Sequence, residues 1–152
     1  MSRLMIVCIL CVCFAALCSG CAKQIKTYSV EGTITINGKP AEKVLVTFVP
    51  KTDGKGLQAS GITDAQGVYK LTSQGGGKQG GGAVAADYAV TISKREAKPL
   101  DKPFVEPISG KEFTETFTEL MPIQYRNAVH SPLSATVNVG DNKGLDFDIK
   151  LK

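Results

Sequence analysis

Two hydrophobicity patterns divide the chain. Residues 4–17 form an unbroken apolar run, whereas from Tyr28 onward apolar and polar positions alternate in short stretches bounded by turn residues. Alternation with a period of two predicts strands with one buried face. Tyr28–Ile36 places Tyr28, Val30, Gly32, Ile34 and Ile36 on one face and polar residues on the other. Asn37-Gly38 follows, a dipeptide that favours a two-residue hairpin turn because both positions tolerate φ > 0, and Lys39-Pro40 extends it. Val44–Val49 sets Val44, Val46 and Phe48 on one side and meets Pro50 at its end. After the polar loop 51–56, strands are predicted at Leu57–Thr63, Val68–Leu71 and Ala86–Ser93. Two more, Ser134–Val139 and Leu145–Leu151, are separated by the turn residues Gly140–Gly144. In the turn Asp64-Ala65-Gln66-Gly67 the Asp64 carboxylate is expected to accept from backbone N–H groups further on, with Gly67 supplying a left-handed position.

Seven or so short strands, with turn signals about every 8–12 residues, predict an all-β fold: a single antiparallel β-sandwich. No long window carries a helical stripe. Lys111–Leu120 comes nearest, but its threonines and Phe113/Phe117 fit a strand about as well. Two segments break the rhythm. Gly75–Gly82 (GGGKQGGG) reads as a flexible low-complexity loop. Lys94–Gly110 spaces Pro99, Pro103 and Pro107 four apart, which predicts extended, weakly structured chain.

The opening run has a different character. Met1-Ser2-Arg3 is a short basic start, Leu4–Leu17 is apolar, and Ser19, Gly20 and Cys21 supply a small-residue exit. That is the layout of a secretory signal peptide. Fourteen residues rise only about 21 Å as a helix, short of the roughly 30 Å hydrocarbon core, so a permanent span is the weaker reading. Leu17-Cys18-Ser19-Gly20-Cys21 resembles the lipobox of bacterial lipoproteins, in which the cysteine after the cleavage site is acylated. Ser19, Gly20 and Cys21 match, while the leucine sits one place early. The resemblance implies lipidation, by palmitate or a similar chain, at Cys21; the alternative is an ordinary secreted protein. All five cysteines lie within residues 8–21. Cys8 and Cys11 make a C-x-x-C, but they sit in apolar surroundings with no His, Asp or Glu nearby to complete a metal site. There cysteine serves as a small hydrophobe. Cleavage before Cys21 leaves 132 residues with that one cysteine, so no disulfide can form within the product.

The boundaries that follow are a signal peptide at 1–20, a lipidated tether at 21–27 and one domain at 28–152, large enough to bury a core without staples. Removing Arg3 lowers the formal charge of +4 to +3. Acids and bases are interspersed, and no basic stripe interleaves with aromatics, which argues against a nucleic-acid partner.

With the strands placed, "VEGTITINGKPAEKVLVTFVP", "GITDAQGVYKL" and "DYAVTISK" resemble the carboxypeptidase regulatory-like domains, a transthyretin-like or immunoglobulin-like sandwich. The ending "PIQYRNAVHSPLSATVNVGDNKGLDFDIKLK" resembles small lipoproteins of the planctomycete type. The likeness spans about residues 28–152. It departs at Ala86-Asp87-Tyr88, where the family has glycine shortly before the tyrosine. These motifs are turn and core residues, so they imply a fold and no activity.

Catalytic chemistry finds little support. The one histidine, His130, stands next to Ser131 without a nucleophile elbow. The hydrolase branch of transthyretin-like proteins uses two histidines, an arginine and a terminal Tyr-Arg-Gly-Ser, whereas here Tyr125-Arg126-Asn127 is internal. Gly75–Gly80 matches G-x-G-x-x-G formally, but a strand is expected after it where a dinucleotide site needs a helix. Asp64 is isolated, and Asp146 and Asp148 alternate with Lys150 as on an exposed strand face, so no cation site is predicted. Glu112, Glu115 and Glu119 could act together only if the fold converged them. The sequence therefore predicts no catalytic residue, metal or cofactor. It predicts an envelope lipoprotein, facing the periplasm and held to the membrane through Cys21. Ala22, in place of a retention aspartate, favours the outer membrane. Expected partners are another envelope protein, met through the loops 75–82 and 94–110, or a polysaccharide. A carbohydrate-binding or enzyme-accessory module is the alternative, with Tyr125 the one loop aromatic to serve as a sugar platform.

Overall fold

The structure, a computed structural model, describes residues 25–73 and 80–151. The signal segment 1–20, Cys21 and most of Gly75–Gly82 lie outside the described residues.

In chain order the first strands are β1 (Val30–Ile36), β2 (Lys39–Pro40), β3 (Leu45–Pro50), β4 (Ala59–Ile62), β5 (Val68–Lys70), β6 (Thr72–Ser73) and β7 (Gly80–Gly81). They are followed by β8 (Ala86–Ser93), β9 (Arg95–Val105), β10 (Glu112–Glu119), the one-turn helix α1 (Ile123–Arg126), β11 (Ser134–Val137), β12 (Asn142–Lys143) and β13 (Phe147–Ile149). The fold is all-β: two main sheets and a separate two-stranded ribbon, with no closed barrel.

The larger sheet runs β11-β8-β3-β4-β6-β7, antiparallel throughout. The smaller is built around β1, which pairs with β5 and β2 antiparallel and with β12 and β13 parallel. That sheet is therefore mixed rather than purely antiparallel. Alternate N–H and C=O groups of β1 serve its two sides, so residues 31, 33 and 35 face the 142–149 segment and residues 32 and 34 face the other. The sheets join at Leu71, where the stretch 68–73 leaves β1 as β5 and continues beside β4 as β6.

Between the sheets sit the residues that the alternation points inward. Val30 and Ile34 from β1 meet Val46 and Phe48 from β3 and Tyr88, Val90 and Ile92 from β8 in one buried cluster. The Phe48 ring lies 6.3 Å from that of Tyr69 and 5.7 Å from that of Tyr88, both tilted, as aromatic quadrupoles prefer. Each tyrosine keeps its hydroxyl satisfied. Tyr69 donates to the Leu145 carbonyl at 2.6 Å and Tyr88 to that of Val84 at 2.8 Å. Burial, and for Tyr69 also the Asp146 charge, raises both phenol pKa values and holds these groups neutral.

The turns follow their residues. Asn37 and Gly38 adopt φ of 50° and 78°, and Ile36 pairs with Lys39 across them. Asp64 Oδ1 accepts from the N–H groups of Gln66 and Val68, each at 2.9 Å, and Gly67 has φ of 76°. Tyr88 is fully buried despite the missing upstream glycine.

The largest difference from the sequence reading concerns residues 94–120. The proline-spaced segment is strand β9, and the helical candidate is strand β10; together they form an antiparallel ribbon from the Arg95–Glu119 pair out to Val105–Glu112. Proline is excluded from central strands because it breaks a ladder, but in an isolated pair every second N–H faces solvent. There Pro99 fits opposite Glu115, and the register slips between Phe113 and Glu115 to absorb the stretch around Pro103.

Candidate functional site

Two surface features stand out, and both begin at the ribbon. Eleven residues in β9 span roughly 35 Å at about 3.3 Å each, and all but Leu100 are exposed. The turn is closed by the Glu106 N–H donating to Lys111 O at 2.9 Å and the Gly110 N–H to Glu106 O at 2.9 Å. At this end Phe104 and Phe113 face each other with ring centroids 6.4 Å apart, and the Lys111 ammonium lies 5.3 Å from the Phe113 ring centre. Phe104, Val105, Phe113 and Phe117 are exposed, and Ile108 is 97% exposed. Apolar residues gathered on an element with no core behind it differ from the scattered surface leucines of an ordinary domain.

At the root, Glu119 fastens the ribbon to the sandwich. Its carboxylate accepts from the Ser93 hydroxyl at 2.5 Å and from the Lys94 and Met121 N–H groups at 3.0 Å each, with Arg95 Nε 3.6 Å away. Burial pushes its pKa up, but these donors and the Arg126 charge outweigh burial and hold it below the usual carboxylate range.

Beside this root lies a groove of about 500 Å³. Its floor is the outer face of β3 and β8, with Leu45, Thr47, Thr91 and Ser93, and around it stand Lys43, Arg95, Arg126 and Glu119. Three cations surround one carboxylate. Arg95 is engaged with Glu119, and Lys43 reaches Glu42 at 3.6 Å in an exposed pair, a geometry of little worth. Arg126, exposed on α1, makes no ion pair among the described residues.

The residues singled out in the sequence are dispersed. His130 is exposed in a turn, its N–H donating to Asn127 O at 3.2 Å. The Ser131 hydroxyl donates to Val90 O and accepts from the Leu133 N–H, which fastens this loop to β8. Glu115 and Glu119 are four residues apart along one strand, about 13 Å, too far to share a proton. Asp146 accepts from the Thr33 N–H at 2.7 Å; Asp148 accepts from the Thr35 hydroxyl at 2.8 Å and the Gly38 N–H at 2.9 Å, and pairs with Lys150. These acids lie on the exposed face expected of them, where they latch the last strand to β1. No group of three His, Cys, Asp or Glu is placed to hold a metal among the described residues. None of the described helices is long and apolar enough to cross a membrane.

Tyr125 is a correction. It is buried, packed in α1 against the core cluster, and offers no platform to a sugar. The exposed aromatics are instead phenylalanines of the ribbon, which proline spacing had disguised. The groove cations come from positions 43, 95 and 126, and no local motif links them. Comparison with family models, with curated proteins and with solved structures finds no match for the chain.

Proposed function

We propose that the chain is a non-catalytic envelope lipoprotein, anchored through a lipid on Cys21, whose sandwich presents the β9–β10 ribbon to another envelope protein. The observation that carries this reading is the exposed apolar set Phe104, Val105, Ile108 and Phe113 at the end of a ribbon whose strands are exposed along nearly their whole length. Prolines and alternating charges along its strands, such as Lys98, Pro99, Asp101 and Lys102, discourage further strand pairing. Contact is therefore made by side chains at the tip, where Phe and Ile can fill pockets of a partner. The signal-like segment with Ser19-Gly20-Cys21 supports the anchor, and the outer membrane is the favoured destination.

Two measurements test the two halves. Metabolic palmitate labelling is expected in the wild type and lost in Cys21→Ser; equal labelling defeats the anchor. A photo-crosslinking residue at position 113 is expected to give a discrete adduct in cells that disappears with Phe104→Ser, whereas the same probe at Lys70 gives none. Equal adducts at both positions defeat the ribbon as the contact surface.

A further inference from the structure

The groove at the root of the ribbon is a feature separate from the ribbon tip. Its floor is uncharged and mixes the hydroxyls of Thr47, Thr91 and Ser93 with the apolar Leu45 and Ile92, its rim is cationic, and no aromatic residue lines it. Neutral sugars and nucleobases are held by stacking platforms, which are missing here. Charge and hydroxyl groups are what remain to recognise a ligand.

The rim carries charge to spare. Glu119 is the one acid in the lining, and its oxygens are already occupied by Ser93, Lys94, Met121 and Arg95. Glu119 pairs with Arg95 and also feels the Arg126 charge, and Lys43 has the exposed Glu42 beside it. The three cations outnumber the one lining carboxylate, and Lys43 and Arg126 both border the same space. The floor decides between kinds of anion. Leu45, Thr47, Thr91 and Ser93 stand on the outer face of the sheet: β3 is paired on both sides, by β4 and β8, while β8 is paired with β3 through Ser93 and with β11 over residues 86–89. A peptide laid on this face meets side chains, not a strand edge. A ligand bearing its own hydroxyls can bond Thr47, Thr91 and Ser93 while Leu45 packs against the C–H face of a ring. The volume suits one or two sugar units, within the ordinary range for small-ligand clefts. We propose that this groove binds an acidic saccharide, whose carboxylate or phosphate is held between Lys43 and Arg126 and whose ring lies on the β3–β8 floor.

The test uses the full-length chain in neutral detergent and isothermal calorimetry with four probes: digalacturonate, glucose 6-phosphate, maltose and the dipeptide Glu-Glu. Digalacturonate or glucose 6-phosphate is expected to bind, with maltose and Glu-Glu at least about tenfold weaker; the better of the two anionic sugars identifies the charged group. Arg126→Gln and Lys43→Gln change exposed side chains, so the fold is retained, as an unchanged melting curve checks. Each is expected to weaken the sugar by about tenfold or more, the loss of one charge-assisted hydrogen bond, while Lys70→Gln on the other sheet leaves it unchanged. Equal binding of maltose, tighter binding of Glu-Glu, no binding of either anionic sugar, or indifference to both groove substitutions each overturns the proposal. Loss of the crosslink at position 113 has no bearing on these outcomes, so the two sites fail or stand separately.

Discussion

Gly32 shows how narrow the tolerances are at single positions. A Cβ there would collide with the Leu145 carbonyl and crowd the Tyr69 hydroxyl that donates to it. Because the obstacle is backbone, Gly32→Ala is expected to destabilise by about 2–3 kcal/mol, read as a fall in the urea midpoint at constant slope. Tyr69→Phe removes only the hydrogen bond and is expected to lose about 1 kcal/mol. The same phenol carries a pH dependence. Its folded pKa lies above the unfolded value near 10, so the protonated form contributes stability below that pH and the contribution is lost as pH rises beyond it. Asp148 has the opposite sense. The Lys150 pairing, followed by the Gly38 and Thr35 donors, takes its carboxyl from 3.8 to about 2. Its contribution is present above pH ~4 and disappears as pH falls through about 2. Melting temperatures of wild type and Asp148→Asn are expected to converge over that acid window and to diverge above it.

Among the elements, β1, β3 and β8 were legible from alternation, and the Asn37-Gly38 and Asp64–Gly67 turns from residue chemistry. These are positions where one local rule decides the outcome, as the buried Val44, Val46 and Phe48 illustrate. The ribbon was not legible. Its prolines oppose strand formation in a packed sheet, and only its isolation from both sheets makes them harmless, which local sequence does not encode. α1 was missed for a similar reason: a single turn at Ile123–Arg126 has too few residues to show a period. Since the ribbon tip contributes nothing to the core, Phe104→Ser with Phe113→Ser is expected to change stability by about 0.5 kcal/mol or less. Thermal unfolding is the check, and a large fall would mean that the tip is packed in solution.

For the whole molecule, the two sheets share one buried cluster, so they are expected to unfold as one cooperative unit. Phe48 touches Tyr69 and Tyr88 and takes part in both layers. Phe48→Ala is expected to cost about 3–5 kcal/mol, with circular dichroism and tyrosine fluorescence reporting the same midpoint. The candidate sites belong to this scale too. Lys43, Arg95 and Arg126 meet only because β3, the ribbon root and α1 converge beside β8, and Glu119 reads as one acid among many until the fold surrounds it with donors.

The parallel pairing of β1 with β13 has a mechanical consequence. Pulling on the chain before Val30 and after Ile149 draws the two strands along each other in opposite directions. The load then falls in shear on the whole Ile34–Phe147 to Ile36–Ile149 ladder, together with the Asn37 N–H to Ile149 O bond and the Asp148 latch. The β9–β10 ribbon, pulled apart at its root, opens one pair at a time like a zipper. Single-molecule stretching is expected to find a markedly higher rupture force between the first pair of attachment points than between residues 95 and 119. A domain tethered on its N-terminal side and gripped beyond its last strand would hold its shape under tension.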